Sequence, residues 1–442
     1  MSSVSALTPQ VRRWSALAAG ERRGLLERGG AVGGELRGAI RELVEDVRVR
    51  GDAAVLDATR RFDGVELTAG RLRVGAEEFA RARAGLPEEL VVAVRASIGQ
   101  VRAFNEAVLA RGEWRRAADG VETGEIVRPI DSVGLFVPSG KGSFPSVLIQ
   151  TGTPAVVAGV ERIAVLVPPA PGGDGRVDPA VLVVAEELGI SEVYRCNGPA
   201  GVAALACGTA TVPAVGRIVG PGSPAVAAAQ AEAQRLGCVA EPGFGPSDAL
   251  ILADSSADPR LLAVDLVNEA EHGPDSSAVL VGTDPRVLAE AAAHVAEQLA
   301  ALPAPRAGYA AASILRNGGV LLAADRAEAL EIANAYAPEH LQLAVAEPES
   351  WLPGVRHAGT VLLGQWTTMA ASNFAIGTPA TLPTSGYARR VSGVTAATYL
   401  TRIAVARLDE AAFRRLAPIV TAFAAHEDFP AHAATVTARE RA

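Results

Sequence analysis

Apolar residues recur at three- and four-residue spacing from Val11 to about Gly120, as in Leu36, Ile40, Leu43, Val44 and Val47, which predicts a run of amphipathic helices serving as scaffold. Beyond that the period changes. Short β-branched runs alternate with amphipathic helices: Ile163 to Val167, Ala180 to Leu188, Val193 to Cys196, Val202 to Cys207, Ile218 to Gly220 and Ala225 to Leu236. Strand and helix in turn predict a parallel sheet. A second run of this kind starts at Ala249 to Ala253. It continues through a helix from Pro259 to Glu271, a strand from Ala278 to Val281 and a helix from Pro285 to Leu302. Between the two runs lies Glu241-Pro-Gly-Phe-Gly-Pro-Ser-Asp248, whose Gly and Pro break both periods and mark a hinge beside a cleft. After Gly393 the pattern again reads as helical to the end, a tail that packs on its own body or on a partner subunit.

Composition agrees with such an α/β protein. The chain has 442 residues, too many for one ordinary core, with 49% hydrophobic and only 4% aromatic residues, so Ala, Val and Leu must build the interior. A net charge of -8 gives no reason to expect nucleic acid or an anionic membrane as partner. No stretch approaches the roughly 20 apolar residues of a membrane span, and Arg12, Arg13, Glu21, Arg22 and Arg23 deny the N-terminus a signal peptide's apolar centre. A cytoplasmic protein is expected. Cys196, Cys207 and Cys238 form no CxxC and cannot all pair, so they read as small buried hydrophobes.

Three segments carry candidate chemistry. In Gly134-Leu-Phe-Val-Pro-Ser-Gly-Lys-Gly-Ser143 a short strand enters a glycine-rich turn, which is either a simple tight turn or a set of backbone amides for phosphate. It is not a Walker loop, because five residues separate Gly134 from Gly140 and Gly142 follows Lys141; GxGxxG is absent too. In Asn268-Glu-Ala-Glu-His-Gly-Pro-Asp275 a helix ends at Gly273, and Glu269 and His272 share one face. They suit two ligands of one metal, or His272 simply caps the helix. In Ala337-Pro-Glu-His-Leu341, adjacent Glu339 and His340 follow a helix on a Pro-led turn, placed for two different proton transfers or merely exposed as a polar turn. His426 and His432 do not make HExxH, since Pro430 holds the required position.

In order, Gly134-Leu-Phe-Val-Pro, Gly220-Pro-Gly222, Gly245-Pro-Ser247, Ala270-Glu-His-Gly-Pro-Asp275, Ala337-Pro-Glu-His-Leu341, Leu382-Pro-Thr-Ser-Gly386 and Ala431-His432 resemble the histidinol dehydrogenase family over most of the chain. The resemblance implies two Rossmann-like parallel-sheet domains with helical N- and C-terminal extensions. Its domains would be a helical arm at 1–30, a catalytic α/β domain from 31–120 with 247–394, a cofactor-side domain at 121–246 and a tail at 395–442. It further implies a homodimer that uses Zn2+ and NAD to oxidise an amino alcohol to its aldehyde and then its carboxylic acid.

Residue by residue, Glu339 and His340 match the family's acid/base pair, with His340 taking the alcohol proton and Glu339 activating water. Ser247 and Glu427 match substrate contacts, and Phe136, Gly140, Gly222 and Ser223 match the NAD site. Zinc positions are Glu269, His272, Asn373 and His432, the last contributed by the partner's tail. Family Gln is Glu269 here and family Asp is Asn373, exchanges that cancel in charge and keep an oxygen at each position. Other polar contacts are lost: a family His is Ala380, and family Tyr, Gln and Asn are Phe136, Ala200 and Ser223. Specificity resides in such contacts, so the expected substrate is an alcohol diverged from histidinol, the alternative being histidinol itself. Another class, a non-redox binding or metal-using protein on the same scaffold, is the third possibility.

Overall fold

The computed structural model describes residues 7–28, 33–110, 112–139, 142–170, 173–241, 243 and 245–440. One five-stranded parallel sheet contains Ser132–Phe136, Arg162–Val167, Glu192–Arg195, Arg217–Val219 and Val239–Ala240, in the spatial order third, second, first, fourth, fifth. The second sheet repeats that order with Asp248–Ala253, Ser277–Gly282, Gly319–Leu322, His340–Ala344 and Thr360–Leu363. In each, the order reverses beside the first strand, and at the carboxyl ends of the strands such a reversal is a natural ligand position.

Helix entry is written plainly in the sequence. Asp178, Ser223, Asp258 and Asp284 each precede a proline, and each side chain accepts a backbone N–H of the first turn. Proline in the first turn needs no donor there, and the cap satisfies one of the orphan amides. The central strand Asp248–Ala253 is buried along its whole length. Each buried Leu or Ile contributes about 1.5–3 kcal/mol, so the register of this strand, and with it the position of Asp248, is firmly set.

Two elements differ from the periodicity. Val11–Arg13 is a strand that pairs in parallel with Gly319–Leu322, covering an edge whose backbone groups would otherwise be open. Leu400–Leu408, expected to be helical, runs antiparallel to Val121–Pro129, which also pairs with Trp114–Ala118. Alternation of Thr401, Ile403 and Val405 is a strand pattern, and Arg402 and Arg407 meet Glu125 and Glu122 across it. Two helices, Glu410–His426 and Pro430–Glu440, then close the tail and pack on each other.

Of the N-terminal helices, Ala19–Leu26 packs on Arg326–Tyr336 beside the 248–363 sheet, whereas the later ones pack on the 132–240 sheet. Gly34–Arg50 lies on Gly198–Cys207 and Pro224–Ala233, and Glu88–Leu109 lies on Pro145–Ala158. The cause is the apolar stripe Ile40, Val44 and Val47, which shares one core with Phe136, Leu166 and Ala200. Arg195 anchors this layer: it is buried and its guanidinium donates to Glu78 and to the carbonyl of Gly175. Cys196 and Cys238 are buried, and burial pushes the Cys238 thiol up to about 11, as inert core sulfur requires. Among the described residues no helix is long and apolar enough to cross a membrane.

Gly243, between the two sheets in the chain, is clasped from the 384–387 turn. Thr384 donates to the Gly243 carbonyl through both its N–H, at 2.6 Å, and its hydroxyl, at 3.0 Å. Gly243 has a φ of +90°, and a Cβ there would lie 2.5 Å from the Tyr387 ring, so only glycine fits.

Candidate active site

Three segments converge at the amino-terminal ends of the 248–363 strands, where the chain arrives from the cofactor-side domain. Asp248 opens the central strand and His340 opens the neighbouring one, opposite Ala249. Glu339 is placed by the turn before it: the helix Arg326–Tyr336 ends at Ala337, whose φ of 50° is left-handed. Gly359 admits the Glu339 carbonyl, since a Cβ there would stand 2.6 Å from that oxygen.

Glu339 and His340 are both buried, with His340 Nε2 3.9 Å from Glu339 Oε1. Burial, aided by the Glu269 and Asp248 carboxylates, pushes the Glu339 carboxyl well above the usual carboxylate range. Burial, with nearby His272 adding to it, moves the His340 imidazole the other way, below its ordinary value, against the pull of Glu269 and Asp248. The polar-turn reading of this pair is therefore set aside. An imidazole of lowered and a carboxyl of raised affinity for protons, side by side, have the chemistry that an acid/base pair requires.

Glu269 arrives at the end of the helix Pro259–Ala270 and is 2% exposed. Its Oε1 accepts from Asn268 Nδ2 at 3.0 Å and from Asn373 Nδ2 at 3.2 Å, and its Oε2 is 3.7 Å from His272 Nδ1. Two neutral amides leave a buried carboxylate short of positive charge. Among the described residues no three His, Cys, Asp or Glu side chains form a metal group. A carboxylate, an amide and an imidazole are nevertheless side chains that could hold zinc, provided the Asn373 amide turns to bring its oxygen where Nδ2 now meets Glu269. His272 Nδ1 lies 3.1 Å from the Glu269 carbonyl, and a proton shared there leaves Nε2 as the free donor. Asn373 is steadied from the other domain, because Gln150 Nε2 donates to its carbonyl at 3.5 Å while Gln150 Oε1 accepts the Ala380 N–H at 3.2 Å.

Ser247 is half-buried directly before Asp248 and faces the same end of the sheet. His432 and Glu427 lie elsewhere: both are exposed on the tail, and the His432 ring stacks on Phe429 with centroids 5.0 Å apart. Within one chain neither bonds to the Glu269 and His340 groups described above.

On the cofactor side, Phe136 and Gly220 sit at the carboxyl ends of the first and fourth strands, beside the point where strand order reverses. Backbone approaches closely there. A Cβ at Gly220 would lie 2.2 Å from the Phe136 carbonyl oxygen, and one at Gly222 would lie 2.3 Å from Val226 Cγ1. Ser223 accepts from the Val226 N–H at 3.4 Å and caps the helix Pro224–Ala233, whose free amides suit a pyrophosphate. Phe136 is buried, so its ring supports Gly198 and Gly222 from below instead of offering a face for stacking. Gly140 lies outside the described residues. A Cβ at Gly245 would be 3.4 Å from the Gly222 carbonyl, so the Gly220 to Ser223 turn adjoins the segment that ends in Ser247 and Asp248.

Sequence reasoning did not single out Asp248, Arg28 or Gln150, although each bonds within this site. Asp248 follows Ser247 directly, a usable signal; the other two depend on tertiary contact alone.

A histidinol dehydrogenase family model matches residues 27–440. A histidinol dehydrogenase homolog of Colwellia psychrerythraea is 37% identical over 97% of this chain and 96% of its own, and the histidinol dehydrogenase of Synechocystis is 39% identical over 90% and 92%. The crystal structure of histidinol dehydrogenase from Elizabethkingia anophelis superposes with a TM-score of 0.90 at 30% identity, covering 96% of each chain. With the buried Glu339 and His340 pair in place, these likenesses establish that the chain belongs to the histidinol dehydrogenase family, as an NAD-dependent alcohol dehydrogenase of that type.

Proposed function

We propose that the protein oxidises histidinol through the aldehyde to the carboxylic acid, with zinc at Glu269, His272 and Asn373. The observation that carries this reading is the buried Glu339 and His340 pair with its oppositely displaced protonation. NAD, when bound, accepts one hydride in each of two oxidations, and zinc, when bound, supplies positive charge beside the Glu269 carboxylate. His340 Nε2 takes the hydroxyl proton as the carbinol carbon loses hydride. Glu339 then takes a proton from water as its oxygen adds to the aldehyde carbon. His340 takes the hydroxyl proton of the resulting hydrate as the second hydride departs. The balance is one alcohol, one water and two NAD+ to one carboxylate, two NADH and three protons.

A second copy of the chain would complete the site. Phe374, next to Asn373 in the chain, is 58% exposed and Trp366 is 86% exposed, while Phe423 and Ile419 on the tail are 62% and 55% exposed. Apolar groups this open at both places support a homodimer in which each tail covers its partner's site and brings His432 and Glu427. Ala380, in place of a polar residue, favours a second reading, an alcohol other than histidinol. The test is NADH formation from histidinol with zinc-restored protein. Two NADH per acid supports the first reading, and no turnover by folded, zinc-loaded protein sends the search to other alcohols.

A further inference from the structure

We infer that Asp248, held by Arg28 of the N-terminal arm, is a positioning residue that fixes Glu339 for its work on water; this rests on the reading of Glu339 given above. Asp248 and Arg28 form a buried ion pair, 3.1 Å between Oδ2 and Nη2, with side chains 2% and 7% exposed. Such a pair loses in desolvation much of what attraction returns, so stability alone does not account for it.

Its geometry points at Glu339. Asp248 Oδ1 accepts the Glu339 N–H at 2.8 Å, and the Asp248 N–H donates to Glu339 Oε2 at 3.1 Å. One residue thus grips both the main chain and one carboxyl oxygen of the other. Oε2 being committed, Oε1 is the oxygen turned toward His340. Asp248 Oδ2 takes the Ser385 N–H at 2.6 Å as well as Arg28. Arg28 in turn donates to the Tyr336 carbonyl at 2.9 Å and lies 3.2 Å over the Tyr336 ring.

Strain surrounds this grip. Ala337, two residues before Glu339, and Ser385 both have left-handed φ, 50° and 54°, which non-glycine residues adopt only where surroundings enforce it. Both are tied into the network, Ser385 through Asp248 and Ala337 through the chain to Glu339. Binding energy of the arm is thereby spent on the angle of one carboxyl group. That reassigns the arm from scaffold to part of the catalytic apparatus.

Asp248→Asn tests it, because one amide oxygen cannot serve the Glu339 N–H, the Ser385 N–H and Arg28 together. Alcohol and aldehyde oxidation are measured separately, histidinol and its aldehyde each being supplied with NAD. Aldehyde oxidation is expected to fall about 10- to 100-fold while the first oxidation and NAD affinity change little. Arg28→Met, which keeps the stem against Tyr336, should shift the two rates in the same unequal way, and the double variant should be no worse than Asp248→Asn. Equal loss of both steps, or no loss in a folded variant, overturns the inference. Wild-type protein inactive on both compounds overturns the proposed substrate instead, and is told apart by that control.

Discussion

Asn373 Nδ2 donates to Glu269 Oε1 at 3.2 Å, joining the two positions that the resemblance reads as an exchanged amide and carboxylate. The contact couples the two positions. A single carboxylate serves the pair wherever it stands, and two carboxylates there would repel while two amides would leave His272 without a charged neighbour.

Zinc retention should therefore depend on the pair and not on either residue. Glu269→Gln should release zinc to a chelator about 10- to 100-fold more readily, and Glu269→Gln with Asn373→Asp should recover most of the loss. Metal content and chelator competition measure this without reference to turnover. A double variant as weak as Glu269→Gln would refute the pairing.

His340→Ala should remove turnover by about 10²- to 10⁴-fold and leave the fold unchanged, since the side chain is a proton carrier at the start of a strand whose register is set elsewhere. Circular dichroism and NAD titration check the fold, and retained turnover would end the assignment.

The pH dependence of aldehyde oxidation should carry the mark of Glu339. Its carboxyl is pushed up by burial and by Glu269 and Asp248, and it must be ionised to take a proton from water. Activity should therefore rise with pH through a value above the ordinary carboxylate range. Loading zinc places positive charge near Glu269, favours the ionised form of Glu339 and moves that limb to lower pH. A rate profile with and without zinc decides it; a limb that does not move speaks against the coupling.

Subunit sharing predicts complementation. Co-expression of His340→Ala and His432→Ala chains at equal levels makes half the dimers mixed, and each mixed dimer holds one site with an intact body and an intact tail. About a quarter of wild-type activity should return. Activity no higher than that of the separate variants would mean that no tail crosses over.

How much of this was legible in the sequence depended on range. Glu269 with His272, and Glu339 with His340, sit within single turns, so local spacing alone brought each pair together. Both parallel sheets could be read from strand and helix alternation. The strand Leu400–Leu408 was not, because its partner Val121–Pro129 is remote and only that pairing turns its alternation into a strand. Arg28 and Asp248 are 220 residues apart, and no periodicity in either segment points to the other. Phe136 shows the opposite failure: its place in a motif suggested a ligand contact, whereas packing under Gly198 and Gly222 gives its ring a structural role.

Acid stability follows from the pair that anchors the N-terminal helices. Arg195 is buried and donates to Glu78, and that hydrogen bond, more than any other influence, holds the Glu78 carboxyl below its ordinary 4.5. A carboxyl depressed in the folded state stabilises the protein above its unfolded value and stops doing so as pH falls through the folded value. Glu78→Gln leaves the buried guanidinium without its counter-charge, which should cost about 3 kcal/mol at pH 7. As pH falls through that depressed value the wild-type carboxyl protonates as well, and the gap between the two proteins should close. Urea unfolding at a series of pH values measures that convergence. Parallel curves over the whole range would show that Arg195 is held by packing and by the Gly175 carbonyl rather than by the charge of Glu78.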